Sequence, residues 1–135
     1  MVVYLDANIF IFPVISNDVR AQKSIEILKK VILGELSAVT STLTLDEVVW
    51  CLLKLTKDRD LAIKEGLKIL RFDNLQIISV DQQIMHDSFQ FMKKYASLKP
   101  RDAIHLAAAL RSNATEFVSD DSDFDVVKEI KRKPL

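Results

Sequence analysis

Val2-Val3-Tyr4-Leu5-Asp6-Ala7-Asn8 is the stretch on which the fold turns. Four apolar, β-prone residues stop at an aspartate. A short unbroken apolar run of this kind is how a strand covered on both sheet faces reads. Apolar residues continue to Ile15, but no basic residues precede the run and Asp6 and Asn8 interrupt it, so it is not expected to act as a secretion signal.

Outward from this run, strand-like and helix-like segments alternate. A helix is expected from about Asp18 to Leu33, with Ile25, Leu28, Val31 and Ile32 on one stripe and Gly34 as its stop. Leu36 to Thr40 predicts a second strand. Thr44 to Leu55 and Leu61 to Leu70 carry leucine and valine at helical spacing. Leu75 to Val80 predicts a third strand, Ile84 to Tyr95 a further helix. Pro100 suits the first turn of the helix containing Ala103, Ala107, Ala108 and Ala109, whose small side chains allow close approach to a sheet. Glu116 to Ser119 and Ile130 to Lys133 predict the last strands. No linker or repeat divides residues 1–135, so one domain is expected. The alternation predicts a three-layer α/β/α sandwich around a central, mostly parallel sheet of four to five strands.

Composition narrows the function. The 135 residues are 49% hydrophobic, enough to bury a core without disulfides. With only Gly34 and Gly66, no glycine-rich phosphate loop can be written. The single cysteine, Cys51, excludes an internal disulfide and any multi-cysteine metal site, and fits a reducing cytoplasm. No run approaches the roughly 18 apolar residues of a membrane span. Nineteen basic residues balance nineteen acidic ones, so the chain is not a globally basic nucleic-acid binder.

The distribution of the acids is more informative than their number. In parallel α/β sheets, ligands bind beyond the carboxyl ends of the strands. Asp6 ends the first strand. Asp121 lies just past the fourth, in Val118-Ser119-Asp120-Asp121-Ser122-Asp123-Phe124. Asp102 falls in the first turn of the Pro100 helix and Glu47 in the first turns of the Thr44 helix. Singly, Glu47 reads as the capping-box partner of Thr44, and Asp102 as a charge complementing a helix dipole. Together, four acids from distant segments at one edge favour a site. Their mutual repulsion calls for a neutralising cation. An all-oxygen donor set suits Mg²⁺ or Mn²⁺, and such ions activate water for phosphodiester cleavage without a histidine, cysteine or serine nucleophile.

Four segments in order, Val3-Tyr4-Leu5-Asp6-Ala7-Asn8, Thr44-Leu45-Asp46-Glu47-Val48, Arg101-Asp102-Ala103-Ile104-His105-Leu106-Ala107-Ala108-Ala109 and Val118 to Phe124, resemble the motifs of PIN-domain ribonucleases, closest to the small single-domain VapC-type toxins. The resemblance implies that Asp6, Glu47, Asp102 and Asp121 form an acidic quartet that is both catalytic and metal-binding. It makes Asp123 an accessory metal ligand and gives Asn8 and Ser119 supporting positions. It further implies Mg²⁺- or Mn²⁺-dependent endonucleolytic cleavage of RNA, an antitoxin protein as partner, and a homodimer.

The remaining motifs read more plainly. His105 is expected to be packed or hydrogen-bonded, and no H-E-x-x-H pair suggests zinc. Trp50 and Cys51 are expected in the core. Met85, Phe89, Phe91 and Met92 are expected in core or interface. Among the basic residues, Lys54-Lys57-Arg59 and Lys131-Arg132-Lys133 form groups, but Arg101, beside Asp102, is the expected substrate phosphate contact. Two competing functions remain: a phosphatase using Asp6 as nucleophile, weakened because Asn8 replaces the second aspartate of a D-x-D pair, and an inactive module binding RNA or protein. If a cation neutralises four or five acids, the rest of the surface carries a basic excess of four or five, and the zero net charge conceals an acidic pocket in a mildly basic body.

Overall fold

The computed structural model describes all 135 residues. Five strands, β1 (Val2–Leu5), β2 (Ser37–Ser41), β3 (Leu75–Ile78), β4 (Glu116–Val118) and β5 (Lys131–Lys133), form one sheet in the order β3-β2-β1-β4-β5, and every neighbouring pair is parallel. The helices are α1 (Asn8–Ile15), α2 (Val19–Ile32), α3 (Thr42–Thr56), α4 (Arg59–Leu70), α5 (Gln82–Lys94) and α6 (Pro100–Arg111), with a short 3₁₀ turn at Ser122–Val126. The expected sandwich is therefore present, with a fully parallel sheet.

Strand periodicity sorts the core into two halves. Val3 and Leu5 of β1 point to the side of Phe10, Val31, Val48, Leu52, Ala62 and Ile69, from α1 to α4. Tyr4 points the other way, with Phe117 of β4, to Ile84 of α5 and Leu106 to Ala109 of α6. The alanines let α6 lie close on the sheet, as their size predicts. Each fully buried leucine, isoleucine or phenylalanine contributes roughly 1.5–3 kcal/mol of hydrophobic stabilisation.

Both glycines have structural reasons. Gly34 follows α2 with φ +73°, the left-handed conformation that ends helices. Gly66 lies where α4 crosses α3, and a Cβ there would come within 2.7 Å of Val49 Cγ2. Elsewhere the chain makes left-handed turns with Lys57, Asn74 and Asn113.

Several details depart from the sequence reading. Residues 8–15 form α1, which an aperiodic apolar run does not announce. The helix expected from Thr44 begins at Thr42, so Thr44 is not its cap; Thr44 Oγ1 lies 2.8 Å from Thr40 Oγ1, and the capping-box role for Glu47 falls away. Trp50 is 55% exposed, not core, with Lys54 Nζ 5.7 Å from its ring centroid. No helix is long and apolar enough to cross a membrane.

Candidate active site

The strand order reverses direction at β1: the chain steps from β1 to β2 and β3 on one side, then returns to place β4 on the other. That reversal opens a crevice at the carboxyl ends of β1 and β4, where this architecture binds ligands. Asp6 stands at its centre. Its backbone N–H donates to Val118 O at 3.1 Å, extending the β1–β4 pairing by one residue. Its carboxylate accepts from Ala7 N at 2.7 Å and from Ser119 Oγ at 2.6 Å, and the residue is only 9% exposed.

Ser119 joins two of the acids. Besides donating to Asp6, its Oγ accepts from Asp121 N at 3.0 Å. Asp121 Oδ1 in turn accepts from Asp123 N at 2.9 Å, starting the 3₁₀ turn. Asp102 occupies the first turn of α6, as Pro100 at the helix start predicts. Glu47 projects from α3, and its carboxylate bonds His105 Nε2, with His105 Nε2 also 3.7 Å from Asp6 Oδ1.

The acids thus gather into two groups. Asp6, Glu47 and His105 form one, Asp102, Asp121 and Asp123 the other. Within each group, the potential ligand atoms lie within 4.8 Å of one another. The groups feel each other electrostatically. Burial first, then the charge of Asp121, with Asp6 and Asp123 adding, pushes the Asp102 carboxyl up to about 6, while His105 partly opposes this. Burial would lower the pKa of His105, but Tyr4, the bonded Glu47 and Asp6 outweigh it and hold the imidazole well above its ordinary value.

These acids differ in kind from those that build the fold. Asp18, Asp58 and Asp81 each accept a backbone N–H at the start of α2, α4 and α5. Each such cap contributes about 1 kcal/mol. None of Asp6, Glu47 and Asp102 caps a helix. Asn8 adds a further sign: its Oδ1 is buried without a hydrogen-bond partner. Unpartnered buried oxygens are rare and call for an explanation. The carboxylate oxygens gathered from four segments fit a hard divalent cation.

Two contributors escape sequence reasoning. His105 is 1% exposed, as expected for a packed histidine, yet it is also part of the acidic cluster. Arg132, read as one of three C-terminal bases, is committed internally: its Nη1 donates to Ser119 O at 3.1 Å and its Nε to Asp125 Oδ1 at 2.6 Å, bracing the loop that carries Asp121. Arg101 is exposed one residue before Asp102.

The sequence pattern of the PIN domain matches residues 3–130. The chain belongs to the PIN-domain family. No curated protein matches it by sequence. Among solved structures, this PIN domain superposes on VapBC2 from Rickettsia felis, bound to a DNA fragment from its promoter, with TM-score 0.75 and 16% identity over 100% of this chain and 99% of that one. It superposes on VapC20 of Mycobacterium tuberculosis, a Sarcin-Ricin loop cleaving toxin, with TM-score 0.76 and 13% identity over 96% and 97%. A toxin–antitoxin complex from Klebsiella pneumoniae gives TM-score 0.66 and 22% identity over 95% and 94%. At these identities the matches establish a shared fold.

Proposed function

We propose that this PIN domain is a metal-dependent endoribonuclease, hydrolysing RNA phosphodiester bonds with Mg²⁺ or Mn²⁺, and the toxin of a toxin–antitoxin pair. The observation that carries the reading is the pair of adjoining ligand groups, Asp6–Glu47–His105 and Asp102–Asp121–Asp123, in the β1–β4 crevice. Asp6, Glu47, Asp102 and Asp121 would hold the cation, with Asp123 as an accessory ligand and Asn8 and Ser119 in support. When bound, the cation would stabilise charge on the phosphate and acidify the attacking water. Asp6 is fixed by Ala7 N and Ser119 Oγ, so its carboxylate is already oriented. Arg101, exposed beside Asp102, would contact a phosphate of the RNA backbone without reading its sequence.

Incubation of the purified protein with RNA should give cleavage with Mn²⁺ or Mg²⁺ and none with chelator; cutting that persists in chelator would overturn the assignment. Induced expression in a bacterial cytoplasm should arrest growth for the natural sequence and not for Asp6→Asn, with an antitoxin partner relieving the arrest; equal growth in both would remove the toxin reading. The fold resemblance to toxins in toxin–antitoxin complexes supports this part.

The same reading makes the protein a homodimer. Exposed apolar residues, Phe89 on α5 and Trp50 and Leu55 on α3 among them, supply surface for association. Light scattering should return twice the chain mass; a monomer at micromolar concentration would contradict it.

A further inference from the structure

His105 lies one helical turn beyond Asp102 on α6, buried against the edges of Tyr4 and Phe117 at 5.7 and 6.4 Å between centroids. A polar ring in such a place is tolerated only if its nitrogens are satisfied. Both are. Nδ1 lies 2.7 Å from the Tyr4 hydroxyl, which donates to Ser41 Oγ at 2.8 Å, and Nε2 bonds Glu47 Oε1. The chain Ser41–Tyr4–His105–Glu47 therefore ties the end of β2, the middle of β1, α6 and α3 into one line that ends at the crevice.

Glu47 is the member of the quartet that most needs such a line. The other three are aspartates with short side chains, and Asp6 and Asp121 accept backbone hydrogen bonds. Glu47 has a longer, more flexible side chain, which costs up to roughly 2 kcal/mol of rotamer entropy to immobilise. Its only hydrogen bond is the one from His105.

We propose that His105 is a positioning residue: it holds the Glu47 carboxylate beside Asp6, so that a divalent cation meets a preformed pair of oxygen donors. The proposal rests on the metal-site reading given above. Groups that orient a ligating side chain in this way typically contribute 10–100-fold to metal affinity.

Two buried polar substitutions separate positioning from packing. In His105→Gln the amide nitrogen reaches where Nε2 stood and can still donate to Glu47. In His105→Asn the shorter amide reaches only toward Tyr4. Calorimetry with Mn²⁺ on the full chain should show His105→Asn binding roughly 10–100-fold more weakly than the natural protein, with His105→Gln recovering most of the loss. RNA turnover should fall in kcat with KM little changed. Tyr4→Phe, which keeps the ring and frees Nδ1, should weaken Mn²⁺ several-fold and serves where either amide variant fails to fold by circular dichroism. Electron spin echo spectra of bound Mn²⁺ should show no directly coordinated nitrogen. Unchanged Mn²⁺ affinity in folded His105→Asn, equal losses in both amide variants, unchanged affinity in Tyr4→Phe, or a coordinated nitrogen that vanishes in His105→Gln would each overturn the positioning role. If the natural protein itself binds no Mn²⁺, the metal-site reading falls as well, and this is visible before any variant is made.

Discussion

Asp6→Asn is expected to lower RNA cleavage by about 10³-fold and Mn²⁺ affinity by at least roughly 100-fold, while leaving the fold intact. Asp6 sits between both ligand groups, touching Ser119 toward Asp121 and facing His105 beside Glu47. The amide conserves shape. Its oxygen still accepts from Ala7 N, and its nitrogen can donate to Ser119 Oγ, whose hydroxyl turns to accept. What disappears is the negative charge and one anionic donor, worth several kcal/mol toward a divalent cation and the charge developing on phosphate. Calorimetry, RNA cleavage and a thermal melt on the same preparation check all three statements. Cleavage within tenfold of the natural protein would show that Asp6 is not a ligand and that the crevice is not where RNA is cut.

The architecture was legible because buried parallel strands and amphipathic helices leave period and punctuation in the chain. Val2–Leu5, Leu75–Ile78 and Glu116–Val118 are short runs bounded by acids or turn residues, and α2 ends at Gly34 as its sequence predicts. The segment 8–15 left no such mark. Asn-Ile-Phe-Ile-Phe-Pro-Val-Ile is apolar on nearly every side, so α1 lacks the alternation that distinguishes helix from strand, and only its packing against α2 and α3 decides its form. Trp50 misled for a different reason: an aromatic within an apolar helix is usually core, yet its position faces solvent beside Lys54.

The gathering of acids at one edge was legible in the sequence, and what holds them there was not. Asp6, Asp102 and Asp121 are marked by where strands end and helices begin, which sequence spacing shows. The bond from His105 to Glu47 spans 58 positions, and the brace from Arg132 to Ser119 spans 13. Both depend on side-chain rotamers chosen after the sheet has formed. Thr44 and Glu47 show how a local rule fails: the spacing satisfies a capping box, but the helix starts earlier, and Glu47 takes the distant partner.

Asp102→Asn should make the protein more stable as it makes it inactive. Burial and the charge of Asp121 hold the Asp102 carboxyl up at about 6, against 3.8 in an unstructured chain. The folded state therefore binds this proton more tightly than the unfolded one. Well below pH 4 both states are protonated and the site costs nothing. As pH rises from 4 through 6, the unfolded chain ionises first, and stability falls. Above 6 the cost is full and constant. Its upper bound is ~3 kcal/mol, which solvent screening at a half-buried carboxylate reduces to about 1 kcal/mol. The amide escapes this cost but gives up a favourable charge at the start of α6, about 0.5 kcal/mol. Without added metal, the net gain of about 0.5 kcal/mol should thus raise the melting temperature of the variant roughly 1–2 °C above that of the natural protein at pH 7.5, with the difference gone at pH 3. Mn²⁺ should reverse the order at pH 7.5, because a cation stabilises the folded state that binds it, and the variant has lost a ligand. Cleavage should fall by about 10³-fold, as for Asp6→Asn. An amide variant less stable than the natural protein at pH 7.5 without metal would mean that the acids are held by favourable protein contacts alone, and the repulsion that the cation is invoked to relieve would not exist.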